Sequence, residues 1–537
     1  MAGITISLVF SDNGIVKKAQ EAANKMNQAI TNELEQINNL TNELMEVLGE
    51  NPRATDIYVF LYDDGTLTFG TQNEPIEGKT VVKEYGNIKG QEYTVWKEKS
   101  DNYVSNTPWY NEINSITKAN IVDKIVPVST SSWFFNCQNL TEIQNLEKLD
   151  TSEVTDMSNM FNGDTKLTQL DLSHFNTSQV KNMQRMFYGC TSLTNLILTN
   201  WNTGNVNNMN GMFGFCSALT NLDISNFDTS QVRNMADMFA KCDSLINLNL
   251  RNFNTSKVTN MNMMFYDCPA LTSLDVSSFD TSQVTDMGAM FAGLSSLTQL
   301  DLSHFNTSQV REMGRMFYYC TSLTNLILTN WNTSNVTNME GMFYNCSVLQ
   351  SLDVSSFDTS QVTNMASMFS ICESLLNLNL KNFNTSKVTS MGSMFYRCSS
   401  LTSLDLSSFD TSQVTNMSTM FGNNPLLTQL DISSFNTSKV NNVNGMFYGC
   451  YSLTNIDVSK FDTSNVVGME RMFYGCTGLT SLDLSNFDTR KVTNMDSMFY
   501  RDKNLKTIYV GQNWTTQNAS TTDMFEGCGT TEVTLKP

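Results

Sequence analysis

MFYDCPALTSLDVSSFDTSQVTDMGAM, residues 264–290, begins and ends on the same methionine slot. The Met-Phe pair first stands at Met160 and returns every 26 residues to Met524, fifteen times in all. Trp133-Phe134 fits one coil earlier, with one extra residue in that coil. A fixed period of this length is the mark of a solenoid and overrides the several domains that 537 residues would otherwise suggest. Inside the quoted coil, Leu274-Asp275-Val276-Ser277 alternates apolar and polar, which predicts a short strand with one buried face. Val284, Met287, Met290, Phe291 and Leu294 step by three, three, one and three, which predicts a short helix with Ser282 placed as its N-cap. One such unit cannot bury its own apolar face, and stacking buries it on both sides.

The expected fold is therefore an α/β solenoid. It has about sixteen coils of 26 residues, each a short strand plus a short helix. Strand–helix–parallel-strand crossovers make it right-handed. A higher order sits above the coil. LDLSHFNTSQV begins at Leu170 and again at Leu300, five coils later, so the array looks like duplicated five-coil blocks.

The repeat also explains the composition. Thirty-two Met and 32 Phe fill core columns beside a repeated Val, so the methionines read as packing rather than as a groove. All twelve Cys share one slot, which Asp164, Leu294, Asn424 and Asp502 fill in other coils. Stacked side chains point the same way with Cβ atoms about 4.8 Å apart, longer than a disulfide prefers, so a ladder of buried thiols is expected. The recurrent Asp/Asn-Thr-Ser reads as turn chemistry, and its glycosylation sequons as incidental. Asp171, Asp223, Asp275 and their equivalents form an outward row, but Ile197 and Asn249 interrupt it and no Gly-rich calcium loop accompanies it. It reads as a solvated polar face.

The candidate ligand-contacting residues are a tyrosine row two places after the methionine: Tyr188, Tyr266, Tyr318, Tyr344, Tyr396, Tyr448, Tyr474 and Tyr500. Gly214, Ala240, Ala292, Ser370 and Gly422 occupy the same slot elsewhere, a tolerance that suggests at least half exposure. Half-exposed tyrosines are good interface material; the alternative is partial cover of the helix layer.

Net charge is −19 with no Lys/Arg cluster, so nucleic acid and anionic membrane surfaces are unlikely partners. Two histidines, His174 and His304, sit at equivalent repeat positions and cannot form a unique site. No GxSxG, Gly-rich phosphate loop, HExxH or Cys/His metal spacing occurs. The expectation is no enzyme, no metal and no cofactor.

Residues 1–50 are expected to form a helix, with Ile30, Ile37 and Leu44 seven apart, as an anchor or stalk able to self-associate through 11–49. Residues 51–132 form an N-terminal cap with strands, including an Asp64-Gly65 hairpin turn. The solenoid runs over 133–502 and a C-terminal cap over 503–537. Ala2–Phe10 is apolar but too short to span a bilayer, so membrane attachment would require an anchor missing from the N-terminus.

LTSLDLSSFDTSQVTNMSTMF (Leu401–Phe421) and MFYGCTSLTNL (Met186–Leu196) resemble the BspA-family leucine-rich-repeat-like surface proteins, a repeat type also abundant in mycoplasmas. DGTLTF (Asp64–Phe69), Pro108-Trp109 and WFFNC (Trp133–Cys137) extend the resemblance over roughly residues 57–537. It implies a cell-surface or extracellular protein that adheres to a host or cell-surface protein or glycan. GITISLVFSDNGIVKKAQEAANK (Gly3–Lys25) is similar to pilin-like segments of low-GC Gram-positive bacteria, which implies the second reading, a filament-associated spacer.

Overall fold

The computed structural model describes residues 54–97 and 103–536. The chain divides into two compact units, Met1–Thr55 and Asp56–Pro537, and the description below concerns the second. The helix expected over 11–49 and the pilin-like segment 3–25 lie outside the described residues.

The repeat period and the stacked coils are as the sequence demands, but the helix is not there. Among the described residues the only helical segments are two short 3-10 turns, Tyr110–Ser115 and Leu146–Lys148. The protein is a β-solenoid, not an α/β solenoid. The stretch taken for a helix is a run of tight turns, and its hydrogen bonds show why. Met287, Ala289, Phe291 and Gly293 donate their amides to the next coil, at Glu312, Gly314, Met316 and Tyr318, over 2.7–3.0 Å. Met290 and Ala292 donate back three residues, to Met287 and Ala289. Ala289 and Gly293 stand at φ +51° and +78°. A helix needs bonds to the fourth residue back and φ near −63° throughout. Apolar residues three apart here are successive turn corners aimed inward. A sequence signal existed: glycine fills the second left-handed slot in six coils, among them Gly163, Gly189 and Gly293.

The remaining corners are built by short side chains. Asp275, Asp280 and Asp286 each accept, through Oδ1, the amide two residues on (Ser277, Ser282 and Gly288) at 2.9–3.1 Å. These Asx turns bend the chain without a helix, and Ser282 is a turn residue rather than an N-cap. Thr281 is buried and its hydroxyl donates to Asn306 O of the next coil at 3.0 Å. Elsewhere the same hydroxyl also accepts: Asn254 N reaches Thr229 Oγ1 at 2.8 Å. The invariant Thr therefore satisfies backbone groups of the neighbouring coil.

Coils are tied along one unbroken ladder of single parallel bridges, fifteen rungs from Ser129 through Asp156, Asn182 and onward to Ser520. The strand side is less continuous. Gln169–Asp171 pairs with Asn195–Ile197, and Gln299–Asp301 with Asn325–Ile327, but pairing lapses between such couples. Phe369 and Phe395 stack at 5.8 Å, whereas Phe383 and Phe409, near the strand side of the same two coils, are 6.5 Å apart and parallel within 1°. Tyr474 and Tyr500 on the turn side are 4.8 Å apart where Phe473 and Phe499 are 6.0 Å. Strand pairing does not follow these ring distances, since Ser481–Leu484 and Thr507–Val510 pair in full in the coils of Tyr474 and Tyr500.

The core is one column of buried Val, Met, Phe, Cys and Leu. A continuous Phe stack from Phe134 to Phe525 runs through it at 5.5–6.0 Å. At the N-terminal end, β1 (Tyr58–Tyr62) and β2 (Thr66–Gly70) form the expected hairpin about Gly65, φ +77°. With β3 (Val81–Asn87), β4 (Val95–Lys97), β5 (Tyr103–Ser105), β6 (Lys118–Ile121) and β7 (Glu142–Gln144) they make the cap. Its five-stranded sheet runs β3-β1-β2-β6-β7, and β6 and β7 are parallel, so the sheet passes directly into the first coils. Phe69 stacks on Trp133 at 4.8 Å and meets Trp109 edge-on at 5.5 Å, sealing the open end of the core. At the other end Thr507–Val510 pairs with Ser481–Leu484, so the stretch after residue 502 continues the coil pattern.

Candidate functional site

The turn face is the run from the bridge ladder to the Cys slot. Each coil carries two left-handed residues here, such as Arg185 and Gly189 at φ +53° and +75°. Between them, on the shoulder, stands the tyrosine slot. All eight tyrosines of the row are half-buried. The small residues that share their slot are buried, not half-exposed as their tolerance had suggested. Two of them are covered by the tyrosine of the preceding coil, Gly214 by Tyr188 and Gly422 by Tyr396. A Cβ added to Gly214 would come within 2.9 Å of Tyr188 Cδ2, and one on Gly422 within 3.2 Å of Tyr396 Cδ2.

The row is thus broken into groups. Tyr188 packs on Phe215 at 4.8 Å, with the Arg185 guanidinium 5.1 Å from its ring centre. Tyr266 takes the Lys241 ammonium at 5.5 Å, and Lys241 pairs with Asp267 at 2.5 Å. Tyr318 and Tyr344 stack at 4.7 Å with Tyr319 against both. Arg315 sits 5.9 Å from Tyr318 and pairs with Glu340 at 2.9 Å. Tyr448, Tyr474 and Tyr500 form the third group at 5.0 and 4.8 Å, closed by Arg501. Desolvation by their neighbours pushes the Tyr318 and Tyr344 phenols up, so both stay protonated hydrogen-bond donors. The ion pairs are exposed and worth at most about 1 kcal/mol each, so they orient the surface more than they stabilise it.

Three residues that sequence reasoning missed share this face. Phe215, Tyr319 and Ile371 are bulky side chains in the second left-handed slot, at φ +61° each. Such backbone costs a non-glycine residue about 1–2 kcal/mol, and strain of this kind concentrates at functional positions. Tyr319 is 42% exposed.

The other columns are structural. All twelve cysteines are free, and all but Cys528 are buried. Thiols such as Cys190 and Cys346 donate to the Phe carbonyl of the preceding coil at 3.0 and 3.3 Å. Burial pushes them up, which removes the thiolate and its reactivity. Asn424 takes over the donor role, its amide reaching Phe395 O and Phe421 O at 2.8 Å. Asp164 and Asp502 fill the slot with carboxyls that burial pushes up, Asp502 to about 8. Each histidine ring donates Nε2–H to a carbonyl of the preceding coil, His174 to Leu146 O at 2.9 Å and His304 to Val276 O at 3.0 Å. The aspartates of the strand face are held low by the Ser hydroxyl and amide two residues on, as at Asp223 and Asp353. Among the described residues no cluster of His, Cys, Asp or Glu could hold a metal ion. An open groove of about 590 Å³ on the strand face, lined by Asp223, Asn247, Asn249, Arg251, Ser273 and Asp275, lies where strand pairing lapses. No helix among the described residues is long and apolar enough to cross a membrane.

Residues 128–248, 242–352, 324–429 and 425–536 each match the family described as "Mycoplasma protein of unknown function, DUF285". The chain belongs to that family. The DUF285 match spans the whole ladder of coils, and the family description assigns no activity. None of the curated proteins matches the chain. Solved structures similar to it include a leucine-rich repeat protein from Eubacterium ventriosum, 16% identical, covering 56% of this chain and 89% of that one with a TM-score of 0.24. A leucine rich cell surface protein from Faecalibacterium prausnitzii is also 16% identical and covers 91% and 96%, with a TM-score of 0.27. The functional domain of InlJ from Listeria monocytogenes, described as including a cysteine ladder, is 16% identical over 76% and 70%, with a TM-score of 0.20. At such TM-scores the likeness carries no argument about this chain.

Proposed function

We propose that this DUF285 chain is a cell-surface recognition rod that binds a protein partner through the turn face of its solenoid. The observation that carries the reading is the tyrosine grouping. In the Tyr318–Tyr344 and Tyr474–Tyr500 pairs the ring faces are turned to each other at 4.7–4.8 Å, with planes within 20°. Stacking closes one face of each ring and so leaves less open aromatic surface for a sugar than a lone tyrosine would. The phenol edges and hydroxyls stay available, flanked by Arg315 and Arg501. Tyr and Arg are the residues enriched where proteins meet proteins. The repeated fold supplies a rigid surface for them, and adhesion to a host or neighbouring cell is the biological role that such a rod would serve.

The test is a binding screen of the full chain against extracellular matrix proteins, cell-surface protein preparations and a glycan array, repeated with a Tyr318→Ala/Tyr344→Ala double variant. A protein hit weakened by the double variant is the expected result. Glycan hits indifferent to it, or adhesion unchanged in cells lacking the protein, would sink the proposal.

A further inference from the structure

The five-coil duplication allows each turn-face residue to be compared with its own copy. Residues 167–296 and 297–426 are identical at 94 of 130 positions. Of the 36 differences, 28 fall in the last twelve residues of the 26-residue coils, from the bridge ladder through the turns, and 8 in the first fourteen. The first coil shows it plainly: its four differences are Lys181 against Arg311, Asn182 against Glu312, Gln184 against Gly314 and Gly189 against Tyr319. Drift driven by exposure would give the opposite distribution. In that coil two of the twelve turn-half residues are exposed, against five of the fourteen in the strand half. Asx corners do not explain it either, because the turn half has such a corner, Asn182 Oδ1 accepting Gln184 N at 3.1 Å, and it diverges there.

The backbone adds a second, independent observation. Where one copy has Gly189, the residue its left-handed slot asks for, the other has Tyr319. Where one has Phe215, the other has Asn345, a residue that tolerates that slot better. Tyr319 has no aromatic counterpart in its sister coil, and at Phe215 the sister coil moves its aromatic one place earlier, to Tyr344 where this coil has Gly214, so the two blocks present different aromatic arrangements on one backbone. Each is also placed among tyrosines: Phe215 against Tyr188 at 4.8 Å, and Tyr319 against Tyr318 and Tyr344 at 4.7 and 5.5 Å.

We infer that the two blocks carry two non-equivalent protein-binding patches, one centred on Phe215 and the other on Tyr319. Each takes a protein segment that sets an apolar side chain beside the strained aromatic and backbone carbonyls against the neighbouring phenol hydroxyls. The inference rests on the protein-recognition reading above and adds that the sites differ, so that one chain holds two different partners or two different segments of one.

The probe is a random-peptide phage library selected on the full-length chain. Selected peptides are measured against three variants that import the sister residue, Tyr319→Gly, Phe215→Asn and Arg251→Lys, with thermal melts confirming each fold. Two peptide classes are expected. One loses about tenfold or more in affinity on Tyr319→Gly and ignores Phe215→Asn; the other does the reverse; neither responds to Arg251→Lys on the strand face. Peptides that lose affinity on both turn-face variants alike would overturn the non-equivalence and leave protein recognition standing. Peptides that respond only to Arg251→Lys or to none of the three, or no enrichment over the display background, would overturn both.

Discussion

Asp502→Asn should stabilise the C-terminal coils at neutral pH and flatten their pH dependence. Asp502 occupies the thiol slot of its coil with no accessible surface, and the Cys476 and Gly475 amides face its carboxyl without closing a well-formed hydrogen bond. Burial pushes its carboxyl up to about 8. An unfolded Asp titrates near 3.9. Below pH ~4 both states hold the proton, and the folded coil has its full stability. As pH rises from there toward 8, the unfolded chain ionises while the buried group must keep its proton. Stability then falls by about 1.4 kcal/mol per pH unit and levels off above the folded value. By pH 7 the loss amounts to roughly 4 kcal/mol as an upper figure, and local opening of a terminal coil cuts it to about half. The amide has a precedent in the same slot: Asn424 donates to Phe395 O and Phe421 O. The equivalent carbonyls at Asp502 belong to Phe473 and Phe499, so the substitution exchanges a proton-demanding acid for two donors. Hydrogen exchange read by mass spectrometry over residues 476–530, from pH 5 to 8.5, measures the effect where it acts. The wild type should lose protection with pH beyond the intrinsic exchange rate, and the variant should not. Identical pH profiles for the two proteins, or a variant less protected at pH 7, would refute the burial argument.

Under native conditions a thiol reagent should label one cysteine of the twelve, Cys528, and peptide mapping after alkylation reads which. Ile371→Gly should raise stability by about 0.5–1 kcal/mol, because relief of a β-branched residue at φ +61° exceeds the entropy cost of glycine, and chemical denaturation would show it. Thr229→Val should lower stability by about 2–3 kcal/mol, since it strips a buried donor from Asn254 O and an acceptor from Asn254 N; an unchanged denaturation midpoint would remove the invariant Thr from the stacking argument.

The period, the stacked columns and the free thiols were legible because a coil of constant length fixes which side chains meet. Cys190 and Cys216 stand at the same slot, and their shared direction already disfavoured a bridge. The helix was misread because three-residue spacing over five apolar residues fits a row of turns as well as a helix, and the glycines at 163, 189 and 293 were the overlooked discriminator. The exposure of the tyrosine slot was misjudged: Gly214 and Gly422 are small where a tyrosine from the preceding coil lies in that layer, not because solvent does. Phe215, Tyr319 and Ile371 could not be singled out from residue type, since nothing in an aromatic or branched side chain announces a left-handed backbone.

The absence of covalent links between cysteines has a mechanical consequence. The described coils follow one another in series, held by one bridge ladder, a stack of rings and carbonyl-bound thiols. Pulled apart from its two ends, such an array can pay out one coil at a time. Each 26-residue coil would release about 85 Å of slack before the next is loaded. A disulfide across coils would forbid this, and with none to reshuffle, a coil drawn out under load can wind back against its neighbour when the load is removed. An extensible tether of this kind keeps an attached partner bound through tension that would break a stiff one.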